Sequence, residues 1–233
     1  MKTKSWLSIV GTFGLLASIT LMQQKALSFA GNESSATPNP VELLPLSNPQ
    51  SPTELEQAYL DSFSILKNEH KCSEFYGGSS AIAALNKLMK QLRPTHLDRH
   101  IGIRMTGEPT IIVSALTGFT FRLFEKAEIN LDGPFYRGRT ALVRDRAPQI
   151  GPFDPNTREA RATTVLHELG HLVRGRHGRW LLPNDGDSFG ESEANTQRVL
   201  EVCGEEIRAL HNVSFDEELL AARSAASPGS QTD

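Results

Sequence analysis

Two of the chain's seven histidines stand four residues apart in Thr164-Val165-Leu166-His167-Glu168-Leu169-Gly170-His171-Leu172-Val173. Residues four apart on a helix lie one above the other on one face, so His167 and His171 can aim two imidazole nitrogens at one point. That is half of a zinc site. A catalytic zinc takes three protein ligands from nitrogen, sulfur or carboxylate and keeps a position for water. Glu168, beside the first histidine, would stand next to that water as a general base for hydrolysis. The expected cofactor is therefore Zn2+, with His167 and His171 as ligands and Glu168 catalytic.

The third ligand needs an acid or a histidine further along, and His177, Asp185 and Glu193 fall within reach by count. At about 100° per residue, Glu193 points about 120° away from the stripe of Ser192, Asn195 and Val199 on the expected following helix. If that stripe faces the histidines, Glu193 faces elsewhere. Asp185 instead sits in the Gly-containing stretch Pro183-Asn184-Asp185-Gly186, directly after Leu181-Leu182, where a short acid can turn back. Asp185 is the preferred third ligand.

A helix must carry these residues, and the sequence supplies one. Asn156 with Glu159, or Asp154-Pro155, can cap its start, and Arg174 then Gly175 suit its last turn and stop. Ala162, Leu166, Leu169 and Val173 mark its buried stripe. Upstream, Ser51-Pro52-Thr53-Glu54 reads as a capping box for a helix with Leu55, Tyr59, Phe63 and Leu66 in its core face. Ser79 or Ser80 can cap a second, with Ile82, Leu85, Leu88, Met89 and Leu92, ending before Pro94. From about residue 96 the period shortens. His100–Met105, Thr110–Val113, Phe119–Phe124, Ile129–Leu131 and Ala141–Val143 read as three to five strands between Gly-containing turns. Helices, a small sheet, the His-bearing helix and a last helix from about Ser188 through Leu210 make an α+β domain.

Export is expected as well. Residues 1–30 have a basic start, an apolar run from Trp6 to Met22, and Ser28-Phe29-Ala30 at the end, the pattern of a signal peptide; an uncleaved N-terminal membrane anchor is the alternative. Residues 31–50, rich in Pro, Asn and Ser, read as a flexible linker, 51–224 as the folded domain and 225–233 as a disordered tail. The two cysteines, Cys72 and Cys203, both follow the signal, and an oxidising compartment favours their union. Losing Lys2, Lys4 and Lys25 takes the formal net charge from −3 to −6. A mildly acidic chain gives no electrostatic reason to bind nucleic acid or an anionic membrane. Between Arg137 and Arg179 nine arginines face four acids, which suits a solvated face, partners for the acidic later helices, or an arginine-lined cleft. Nothing fixes an oligomeric state.

His167-Glu168-Leu169-Gly170-His171, on a helix after a small sheet, resembles the zincin metallopeptidases over at most residues 110–205. The surrounding stretch, with Pro183-Asn184-Asp185-Gly186 and Asn195-Thr196, is also similar to exported bacterial proteins of uncharacterised function. The zincin resemblance implies a zincin-like fold, one catalytic zinc and hydrolysis of peptide bonds, so a protein or peptide substrate. Its subgroups differ in the third ligand. In the metzincin pattern His177 is in place, but Arg174 occupies the glycine position and Gly175 comes one late. The gluzincin spacing fits Glu193, and the aspzincin spacing approximates Asp185 without the surrounding motif. Tyr136 and Arg179 are candidate oxyanion donors. The alternative reading is a catalytically silent envelope binding module with zinc as a structural clamp, a site that four protein ligands would close.

Overall fold

Thr53, not Ser51, opens the first helix. In the computed structural model, which describes residues 43–47, 53–98, 100–138, 148–175, 177–186 and 188–212, helix α1 spans Glu54–Lys67. Thr53 Oγ1 accepts from Glu56 N at 3.3 Å, and the Glu56 carboxylate accepts from Thr53 N at 2.8 Å, so the capping box sits two residues later than expected. The expected linker is also shorter than 31–50. Leu43, Leu44 and Leu46 lie against the core, Leu44 N donates to the Tyr59 hydroxyl, and Ser47 bonds Glu56. Three leucines in four positions bury too much apolar area to stay in solvent. The signal segment 1–30, Ala141–Val143 and the tail 225–233 lie outside the described residues.

A short helix that the pattern did not reveal, α2 (Lys71–Tyr76), follows with His70 as its N-cap. Gly77 ends it at φ 95°, a left-handed conformation in which a Cβ would also meet the Phe119 ring at 2.9 Å. Helix α3 (Ala81–Gln91) stops before Pro94 as expected, but the chain goes straight into a strand, β1 (Leu92–Thr95). Proline is tolerated there because β1 is an edge strand. Then come β2 (Ile103–Thr106), β3 (Thr110–Val113), β4 (Thr120–Leu123) and β5 (Lys126–Asn130). They form two sheets rather than one. In the first, β5 lies between β1, parallel to it, and β2, antiparallel; β3 and β4 make a separate antiparallel pair.

Helix α4 (Arg158–Leu172) carries the two histidines. Its N-cap is Thr157, whose Oγ1 accepts from Ala160 N; Asn156 sits outside at φ 63°, so neither expected cap is used. It also stops sooner than Arg174. Val173 is the C-cap, Arg174 N donates to Thr120 O, and Leu181 N donates to Val173 O, so β4 and the following loop take over these groups. Ala162, Leu166, Leu169 and Val173 are buried as expected, but Thr164, His167 and His171 are buried as well. The helix is therefore central, touching α1, α3, β4 and the last helix, α5 (Phe189–Ala209). The architecture is α+β.

Two long-range links fix α4 in place. Tyr76, fully buried on α2, donates from its hydroxyl to Leu166 O at 2.6 Å. Asp61, fully buried on α1, accepts from Arg158 at 2.6 Å, and Arg158 also donates to Leu210 O. Removing one partner of a buried pair leaves the other uncompensated, so Asp61→Ala is expected to lower unfolding stability by about 3–5 kcal/mol in denaturant titration. A loss under 1 kcal/mol would show the pair to be neutral.

Cys72 on α2 and Cys203 on α5 are joined in a disulfide across 131 residues. Denatured, unreduced protein is expected to titrate no thiol, and two after reduction; two before reduction would remove the bond. Loops of this length suggest up to about 5 kcal/mol of stabilisation, lost in Cys72→Ser/Cys203→Ser. No helix among the described residues is long and apolar enough to cross a membrane.

Candidate metal centre

The helical spacing delivers what it implies. His167 and His171 hold their rings 4.9 Å apart, with Nε2 3.1 Å from Nε2. Asp185 closes the group, Oδ2 lying 3.1 Å from His167 Nε2 and Oδ1 3.5 Å from His171 Nε2. Among the described residues, these three form the group of His, Cys, Asp or Glu able to hold a metal ion, with one ligand atom from each within 4.8 Å of the others.

The arrangement can be tested against a metal by distance. Nitrogen and oxygen ligands around a tetrahedral zinc stand roughly 3.3–3.5 Å from one another, given bonds of 2.0–2.2 Å. The separations of His167 Nε2 from His171 Nε2 and from Asp185 Oδ2, both 3.1 Å, are close to those edges, while His171 Nε2 approaches the other carboxylate oxygen, Oδ1, at 3.5 Å. Two imidazoles and a carboxylate also suit zinc chemically, so the residues fit the ion. Protons can hold the same group together. Burial alone would raise the pKa of Asp185, but hydrogen bonds from His167 and His171 and their charges hold it well below the usual carboxylate range. Burial would likewise lower that of His171; its bond to Asp185 and the charges of Glu168 and Asp185 outweigh this and raise it.

Asp185 arrives on a loop built backwards onto α4. Leu182 N donates to Gly170 O and Leu181 N to Val173 O, each at 3.0 Å, and Leu182 is fully buried. Pro183 O accepts from Asn195 Nδ2 of α5 at 3.0 Å, which ties the loop down on its other side. The close approach depends on the glycine inside the motif. A Cβ on Gly170 would lie 2.6 Å from both Cγ and Cδ1 of Leu182. Gly→Ala inside a helix ordinarily stabilises by about 0.5–1 kcal/mol. Here overpacking of about 1–3 kcal/mol should win. Gly170→Ala is therefore expected to lower both the melting temperature and metal affinity, read by calorimetry and chelator competition. A variant as stable as the parent would show that the loop yields.

Each imidazole is steadied differently. His167 Nδ1 bonds Thr196 Oγ1 of α5 at 3.0 Å, an outer partner that orients the ring. His171 Nδ1 is buried with no hydrogen-bond partner in the described structure, so packing and Asp185 orient that ring. Glu168 lies half-buried on the next part of the helix face. Burial raises its pKa, the two histidines pull it down, and Asp185 pushes it up again; the outcome is a carboxyl that holds its proton more readily than an ordinary glutamate. That is the direction a general base needs.

His177 and Glu193 are both exposed and outside the group, Glu193 pointing away as its helical phase implies. The candidate oxyanion donors do not join it either. Tyr136 packs on Phe135 and interacts with Glu54 and Arg161 at the start of α4, and Arg179 is exposed in the turn where its carbonyl accepts from Gly175 N. Among the described arginines of this stretch, Arg158 binds Asp61, Arg137 binds Asp132, Arg161 binds Asn156, and Arg174 bonds Gly178 O; Arg139, Arg144, Arg146 and Arg176 lie outside the described residues. Sequence reasoning missed the role of Thr196 beside His167, and it missed Arg122, whose Nε donates to His171 O at 2.8 Å. Thr196 had a signal, the adjacent polar pair Asn195-Thr196 on the helix that follows the Pro183 loop. Arg122 had none.

Comparison with protein-family models, with curated proteins and with solved structures finds no match.

Proposed function

We propose that this protein is an exported, zinc-dependent peptide hydrolase with a zincin-like domain. The carrying observation is a group of three convergent donors, His167, His171 and Asp185, with the carboxyl of Glu168 beside it. Among the described residues the group holds three donors, not four, which favours a hydrolytic centre over the structural clamp of a silent binding module, because a structural zinc is closed by a fourth protein ligand. The Cys72–Cys203 bond supports export, to periplasm or exterior, since disulfides persist in oxidising compartments.

His167, His171 and Asp185 would hold the ion, with Thr196 keeping the His167 ring in register. Zinc, when bound, supplies Lewis acidity that activates water near neutral pH and polarises the scissile carbonyl. Glu168 takes the proton from the attacking water as the new C–O bond forms. It then returns that proton to the leaving amine as the C–N bond breaks, so it starts and ends the cycle ionised. The test is metal analysis of the purified protein with a peptide-library cleavage assay, before and after chelation. One equivalent of zinc and chelator-sensitive cleavage are expected. Stoichiometric zinc with no cleavage of any peptide would favour the binding module, and absence of zinc would end both readings.

A further inference from the structure

One face of the β3–β4 hairpin is apolar and exposed, with a single cation set into it. Ile111 and Val113 are 51% and 60% exposed, and Leu116 in the connecting turn is 66% exposed. Ile111 stands opposite Arg122 in the register of the hairpin, so their side chains share a face with Cβ atoms about 5 Å apart. The Arg122 guanidinium lies between two rings, its carbon 5.1 Å from the Phe124 centroid and 4.3 Å from that of Trp180. Its Nε is spent on His171 O, which links it to the metal-centre helix. Among the described residues no carboxylate lies within ion-pair range of it, and its two terminal nitrogens bond nothing.

A half-buried guanidinium normally pairs with an acid, because removing its water costs free energy that only another charge or several acceptors return. Capping the last turn of α4 accounts for Nε alone. The remaining donors form the planar fork that matches a carboxylate. We propose that Arg122 recognises a carboxylate on the peptide substrate, with an apolar side chain beside that carboxylate resting on Ile111, Val113 and Trp180. This rests on the peptide-hydrolase reading. The carboxylate can belong to the free C-terminus or to an internal acidic residue.

The experiment measures calorimetric binding to the zinc-loaded, full-length Glu168→Gln protein, in which turnover is blocked. Two matched pairs of apolar peptides are compared: free acid against C-terminal amide, and internal Glu against Gln. One carboxylate form is expected to bind tenfold or more tightly than its neutral match, as charge-assisted hydrogen bonds imply, and which pair discriminates identifies the source. Adding Arg122→Gln should bring that ratio close to one with zinc content retained, and Arg122→Lys should leave a smaller preference. Equal or absent binding of both members in both pairs overturns the proposal. So does a preference that survives Arg122→Gln, including the case in which that variant loses melting temperature, which would mark Arg122 as a structural clamp. Should Arg122→Gln not fold, Arg122→Lys decides alone, an undiminished ratio overturning the proposal. If the protein with Glu168 intact cleaves no peptide yet the carboxylate preference holds, the hydrolase reading fails and the recognition stands. Cleavage without discrimination fails the recognition alone.

Discussion

Glu168→Gln is expected to leave zinc content and melting temperature near the parent's while peptide cleavage falls at least a hundredfold. The substitution keeps the size and polarity of a half-buried side chain. It removes a charge that burial already disfavours, so folding has little to lose. It cannot, however, accept the water proton, and lost acid-base catalysis costs 10²–10⁴-fold on the usual scale. The neighbouring imidazoles offer no substitute, since both ring Nε2 atoms face the ligand group. Turnover should collapse in kcat with KM little changed, because the carboxylate acts on the reacting water rather than on peptide binding. Unchanged turnover would dismiss Glu168 as the base and reopen the site's chemistry.

Asp185→Ala carries the second large effect, a loss of zinc affinity by orders of magnitude with the fold intact. Removing one of three donors leaves two imidazoles, and a two-ligand site does not hold zinc against a chelator. The loop itself should survive. Its attachment runs through Leu182 N to Gly170 O, Leu181 N to Val173 O and Asn195 to Pro183 O, none of which involves the carboxylate. Glu193→Ala and His177→Ala serve as controls, since both residues are exposed and outside the group. Competition with a chromophoric chelator across the three variants gives the answer directly. Parent-like affinity in Asp185→Ala together with a loss in Glu193→Ala would transfer the ligand to Glu193.

The pair His167 and His171 was legible because its geometry is local: helical periodicity alone sets residues four apart on one face, whatever the rest of the chain does. The buried stripe Ala162, Leu166, Leu169 and Val173 and the outward phase of Glu193 were legible for the same reason, while the pairing of Cys72 and Cys203 was legible because they are the two cysteines of the chain and follow the expected export signal. Helix starts were less so. Ser51 and Thr53, or Asn156 and Thr157, offer the same capping chemistry within two residues, and the chain's path decides between them. Strand β1 was hidden by Pro94, which only its place at a sheet edge makes tolerable. Asp185 was preferred over His177 and Glu193 on loop chemistry and helical phase, and tertiary contacts bring it to the two histidines through a loop that needs Gly170 to come close and Asn195 to hold it. Thr196 and Arg122 reach the histidines across 29 and 49 residues. No local pattern spans such distances, because long-range hydrogen bonds follow from how elements stack and not from what stands next to what in the chain. So sequence determined the helix that presents the two imidazoles and the glutamate, while packing of β4, the Pro183 loop and α5 around that helix decided what completes and steadies the site.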